Sequence, residues 1–223
     1  MPFDLAITPS ILLSMWAGGL AFAAGVVARW RIVGPGYLWT AGASVLLIGA
    51  AAVGAGPWAA AAAAAVVLAM ILARHPAPAG ALLLAAGASF MIHGLLGSPE
   101  HPFLVLTGAL ALGGTTSEML LGHWYLIDPK LPRWALRRLD AAGIAGLVLD
   151  TGYVVVLGGL DPAGGMLRWA FLGLAVTSVA MMTAVWFTLR EKGYEGVMAA
   201  TGLSYLSVLT AIGSVAVGRF LLA

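Results

Sequence analysis

Two carboxyl side chains stand where carboxyls are costly. Glu118 lies inside the apolar run at about 102–124, and Asp150 lies near the middle of the run at about 138–159. An ionisable group at the centre of a membrane helix costs about 2.5–3.5 kcal/mol on insertion scales, so it must face the protein interior and find a partner. A carboxyl buried without a cation favours its neutral form and can exchange protons near neutrality. Glu118 and Asp150 are therefore the candidate catalytic or coupling residues. At helical spacing Thr107, Ala111, Gly114, Thr115, Glu118, Gly122 and Tyr125 fall on one stripe, and Gly143, Gly146, Asp150 and Tyr153 on another. Consecutive antiparallel helices pack together, so the stripes are expected to face each other. At 1.5 Å per residue, Glu118 lies about 9 Å in from Trp124 and Asp150 about 18 Å in from Arg138. The resulting gap of about 9 Å fits a bridging water or ligand better than a direct hydrogen bond.

Other polar residues could serve the same chemistry. Thr115, Thr116 and Ser117 precede Glu118, and hydroxyls there can bond to carbonyls one turn back. His123 stands at the water boundary, placed either to relay protons to Glu118 or to cap its helix. His93, in the outer third of its run, could donate to a quinone carbonyl, ligate a metal or haem, or serve structurally. The candidate cofactor-binding set is His93, Thr115, His123, Tyr125 and Tyr153. A bis-histidine haem fits less well than a quinone. Only His101 lies near His93, while His75 and His123 belong to the opposite face. No metal site is expected: His93, Glu100 and His101 lack the spacing of a dedicated zinc motif. The chain has no cysteine, which removes disulfides, thiolate metal sites and cysteine nucleophiles. Walker, dinucleotide, nucleophile-elbow and His-Glu-x-x-His patterns are missing too, and both lysines, Lys130 and Lys192, sit in loops. The hydroxyls of the last run, Thr201, Ser204, Tyr205, Ser207, Thr210 and Ser214, are either cavity lining or helix–helix glue.

The elements that position these residues must be membrane helices. Of 223 residues, 61% are apolar and 9% charged, against about 25% charged in a soluble domain. So few charges cannot solvate a globule of this size, and lipid must cover most of its surface. Thirty glycines and the alanine run 59–65 allow close helix approach in lipid. The excess of cations speaks to topology and not to nucleic acid, which is not an expected partner.

Eight runs approach the roughly 20 residues that a span needs: about 5–28, 36–55, 57–73, 79–97, 102–124, 138–159, 165–190 and 196–220. Prolines and glycines separate them. The division between the second and third, Gly54-Ala55-Gly56-Pro57, is the weakest, and fusion there would leave seven crossings or fewer. The N-terminus lacks a basic n-region, so the first run is read as a retained span. With a non-cytoplasmic N-terminus, the cytoplasmic connections hold Arg29, Arg31, Arg74, Lys130, Arg133, Arg137, Arg138, Arg190 and Lys192, with only Arg168 and Arg219 opposite. This is the positive-inside bias, and it puts both termini outside. Trp30 and Pro35 are spaced like Trp124 and Pro129, consistent with a parallel four-plus-four repeat with halves 1–98 and 99–223.

The expectation is a single all-α domain over residues 1–223, a polytopic bundle in a bacterial cytoplasmic membrane, with the bilayer as its partner and other membrane subunits or a homodimer as further ones. Four functional readings follow. One is a redox subunit binding a lipid-soluble carrier such as quinone. The others are a small proton-coupled transporter or channel, an intramembrane enzyme on a lipid or isoprenoid substrate, for which the expected paired-acid metal motifs are missing, and a structural or assembly subunit.

Overall fold

The described residues form eight α-helices: α1 (Pro9–Trp30), α2 (Pro35–Val53), α3 (Pro57–Ile71), α4 (Pro76–Gly97), α5 (Pro102–Ile127), α6 (Arg133–Val156), α7 (Gly165–Thr188) and α8 (Tyr194–Leu221), with a short 3₁₀ turn at Pro162–Gly164. They are seen in a computed structural model that describes residues 8–191 and 193–222. The start of the first predicted run (5–7) and Lys192 lie outside the described residues. Five helices begin on proline. Proline suits that position because its missing N–H is one that no intrahelical carbonyl would have accepted. The punctuation in the sequence thus marks helix starts directly.

Seven helices are long and apolar enough to cross a bilayer. The exception is α3, whose 15 residues reach about 22 Å against a core of about 30 Å. Gly54, Ala55 and Gly56 separate it from α2, so the two are distinct helices. A second departure concerns α6. It begins at Arg133, five residues before the predicted 138, because Pro132 stands immediately ahead as its cap. That shift draws Arg137, Arg138 and Asp140 into the helix.

The outer surface is greasy: Leu47, Ile71, Val156, Met166, Val176 and Leu209 are all more than 60% exposed, which is tolerable only if lipid covers them. Inside, α1 packs on α2 and α4, and α3 on α4; likewise α5 packs on α6 and α8, and α7 on α8. The two sets join chiefly through α1 against α5. At that crossing Gly19 meets Gly113: a methyl on Gly113 would stand 2.3 Å from the Gly19 carbonyl carbon, and one on Gly19 would stand 2.0 Å from the Ala109 oxygen. Trp16 Nε1 also donates to Thr116 Oγ1 across it, at 2.9 Å.

The contacts exchange reciprocally. Trp30 at the end of α1 packs on Trp134 in the first turn of α6, with centroids 4.9 Å apart. Trp124 near the end of α5 packs on Gly36 and Tyr37 at the start of α2. Both Trp30 and Trp124, and Gly19 and Gly113, are 94 positions apart. Because adjacent helices alternate in direction, Arg29, Arg31, Arg74, Lys130, Arg133, Arg137, Arg138 and Arg190 gather at one end, hereafter the arginine-rich end.

Gly113→Ala is expected to lower the thermal unfolding midpoint in detergent, with a cost of about 1–3 kcal/mol for overpacking. Gly173→Ala, where nothing lies within 4 Å of the added methyl, is expected to leave it unchanged or slightly raised.

Candidate functional site

Between α5, α6 and α8 run two buried polar layers, one in each half of the membrane. Close α5–α6 packing sets their register. A methyl on Gly114 would strike Gly143, and one on Gly146 would strike Ala111, while Thr107 reaches Asp150. Each three- or four-residue step up α5 is matched by the same step down α6.

In the layer farther from the arginines, Asp150 meets a cation. Arg219 of α8 grips it in a two-pronged pair, Nη1 to Oδ2 at 2.7 Å and Nη2 to Oδ1 at 2.6 Å. Such fork-on-fork pairing is the strongest geometry available to these groups. Arg219 Nη2 also donates to the Leu104 carbonyl at 2.6 Å, and the Thr107 hydroxyl donates to Asp150 Oδ1 at 2.7 Å. Both charged side chains are at most 4% exposed. Gly108 leaves the room: a methyl there would come within 2.7 Å of Arg219 Nη2.

The pair corrects the expectation that Arg219 is an outer-face cation and Asp150 a carboxyl without one. Arg219 lies inside the predicted run 196–220, and an intramembrane cation beside an intramembrane acid was the available signal. Nor do Asp150 and Glu118 share a site. Asp150 lies opposite Thr107, eleven residues and about 16 Å along α5 from Glu118. The 9 Å expectation assumed that Trp124 and Arg138 mark one level. The early start of α6 removes that premise.

The layer nearer the arginines is built on Glu118, which is fully buried. Ser204 of α8 donates to its Oε2 while also lying 2.8 Å from the Ala200 carbonyl. Glu118 Oε1 has no hydrogen-bond partner. Continuing the α5–α6 register by one more step places Ser117 opposite Asp140. Asp140 is fully buried, neither of its carboxylate oxygens has a partner, and the Ser117 hydroxyl is also unpartnered. The same register sets Asp140 within one residue of the level of Glu118 on α5. Asp140 stands near the start of the run predicted at about 138–159, and the early start of α6 at Arg133 carries it two turns inside. Among the described residues no salt bridge reaches either acid, the one ion pair being Arg219 with Asp150.

Around these acids α8 presents a buried seam of Thr201, Ser204, Ser207, Ser214 and Arg219, which runs from one layer to the other over about 22 Å between Ser204 and Arg219. Thr201 packs against Gly122, where an added methyl would lie 2.9 Å from its hydroxyl. The Ser207 hydroxyl lacks a partner.

The remaining candidates scatter. Thr115 turns its hydroxyl to the Ala111 carbonyl at 2.6 Å. His123 points outward, 3.1 Å from the Tyr205 hydroxyl on the exposed side of α8, and so away from Glu118. Tyr125 is buried toward the arginine-rich end, its hydroxyl 3.5 Å from Arg133 Nε. Arg133 itself ties down the α7–α8 connection by donating to the Glu191 and Gly193 carbonyls. Tyr153 stacks on Phe103 with centroids 5.7 Å apart, in the distal half. His93 lies beside Gly56, also distal. Among the described residues no group of three His, Asp or Glu is arranged to hold a metal.

Arg219→Gln is expected to destabilise the fold by about 3–5 kcal/mol, since it strands a buried carboxylate. The double variant Arg219→Gln/Asp150→Asn is expected to recover most of that loss. Unfolding midpoints of the two singles and the double, read as a cycle, check it.

In comparison with known proteins, the chain matches no family model, no curated protein and no solved structure.

Proposed function

We propose that this is a proton-translocating membrane transport protein whose proton-exchange site is Glu118 with Asp140. One observation carries the reading. Two fully buried carboxyls meet no cation and keep three oxygens unpartnered. An ionised carboxylate without partners is prohibitively costly in an apolar interior, and two at neighbouring levels of one buried layer repel. A proton relieves both penalties, and its loss restores them, so occupancy of the pair is tied to access from water. Ser204, Ser117 and Ser207 are hydroxyls that can donate or accept in turn, which suits a proton path. The Asp150–Arg219 pair is a fixed charge couple further along the same α8 seam, where an arriving proton would compete with the guanidinium for the carboxylate. The arginine-rich end faces the cytoplasm in this reading, by the positive-inside bias.

The quinone reading is less favoured by the geometry. It needs Glu118, Asp150, His93 and a tyrosine around one ligand. Instead His93, Asp150 and Tyr153 stand in the distal half, and Glu118, His123 and Tyr125 in the other.

Proteoliposomes with an entrapped pH-sensitive dye test the proposal. Under an imposed proton gradient, wild-type vesicles are expected to dissipate it faster than empty ones. Glu118→Gln is expected to slow that protein-dependent flux by about a hundredfold, the scale of losing one positioned proton-transfer group. Wild-type vesicles no leakier than empty ones, or a Glu118→Gln flux equal to wild type, would overturn the reading.

A further inference from the structure

A cleft of about 430 Å³ opens on the outer side of the junction between the two helix sets. Its floor is α5, at Ala109 and Gly114, and its walls come from Phe22 and Val26 of α1 and from Ala142 of α6. The lining is apolar until its arginine-rich end, where Trp30 and Arg138 form the mouth. From Gly19 to Trp30 the cleft follows α1 for eleven residues, about 16 Å, which is about half the thickness of a hydrocarbon core. Its depth is therefore that of a single leaflet.

The mouth is built rather than incidental. The Arg138 guanidinium lies over the Trp134 ring, 4.7 Å from its centroid, and Trp30 packs edge-on against the same ring. Arginine held on an aromatic face keeps its donors directed outward, and tryptophans of this kind settle at headgroup level. No carboxylate lies within ion-pair distance of Arg138 among the described residues, so its charge is available. An apolar slot one leaflet deep, closed by an unpaired guanidinium among tryptophans, matches the shape and charge of an anionic lipid.

We propose that this cleft is a binding site for an anionic phospholipid of the leaflet at the arginine-rich end, with one acyl chain lying along α5 between α1 and α6 and the phosphate on Arg138. The site wedges the crossing of the two helix sets, with the chain against Gly114 on α5 and Leu139 on α6, each within a turn of the Glu118–Asp140 layer. It is independent of whether that layer moves protons.

Native mass spectrometry of the detergent-solubilised protein, titrated with phosphatidylglycerol or phosphatidylcholine of identical chains, tests it. One phosphatidylglycerol is expected to bind in preference to phosphatidylcholine by about fivefold, the factor that roughly 1 kcal/mol per surface cation gives. Arg138→Gln is expected to abolish the preference and Arg138→Lys to keep most of it. Ala142→Trp, which fills the slot and leaves the arginine, is expected to remove the tightly held lipid of either kind. Equal retention of both lipids by the wild type means an ordinary boundary lipid and overturns the proposal. So does a preference that survives both Arg138→Gln and Ala142→Trp, which would place the lipid elsewhere. Competition by an uncharged quinone that removes the lipid equally well from wild type and Arg138→Gln would show a neutral isoprenoid site instead.

Discussion

Lipid offers no hydrogen bonds, and that single deprivation shapes this protein from its helix starts to its buried acids. Every N–H, carbonyl and charge within the bilayer has to be satisfied by the chain itself. Five of the helices therefore begin on prolines, which bring no donor to leave stranded. Between helices no hydrophobic drive exists, so association rests on closeness. Gly19 with Gly113, Gly114 with Gly143 and Gly146 with Ala111 bring backbones together, and this holds α1, α5 and α6 in a fixed register. That register then decides which polar side chains meet.

The same constraint sorts the acids into two kinds. Asp150 has both carboxylate oxygens met by Arg219, with the Thr107 hydroxyl as a further donor, while the guanidinium also donates to the Leu104 carbonyl and leaves its Nε without a partner. The carboxylate itself is fully answered, and the pair has the character of a clamp. Among the described residues, Glu118 is answered only by Ser204, and Asp140 by nothing. A carboxylate held by a cation resists change, whereas one without a cation invites a small one, of which the proton is the least demanding. The distinction between the layers is thus one of satisfaction, not depth or residue type. It moves the functional weight from the pair Glu118 and Asp150 to the pair Glu118 and Asp140.

Much of the fold was legible because composition and punctuation are one-dimensional signals. Too few charges demand lipid, and prolines announce helix starts, so the all-α bundle and the span order could be read directly. Glu118 stood out because it lies deep within an apolar run. Less legible was anything set by register between helices. Arg219 was visible inside a span, yet its pairing with Asp150 depends on α6 and α8 both reaching Thr107 and Leu104. Asp140 was hidden by a boundary error of five residues: charged Arg133, Arg137 and Arg138 resemble a loop, whereas they occupy the first turns of α6 beyond Pro132. His123 was misjudged for a different reason, since helical position alone did not reveal that its neighbour on α8 would be the exposed Tyr205 and not Ser204.

The decisive quantity is the protonation of the inner pair. Infrared difference spectra of the membrane-reconstituted protein across a pH titration, with deuterium exchange to identify carboxylic acid stretches, report it directly. The protonated-carboxyl band is expected to be present near neutral pH, to vanish on alkalinisation, and to be lost or displaced in Glu118→Gln and Asp140→Asn but not in Asp150→Asn. A spectrum with no protonated carboxyl near neutrality, or one whose band disappears only in Asp150→Asn, would contradict the assignment of the proton site.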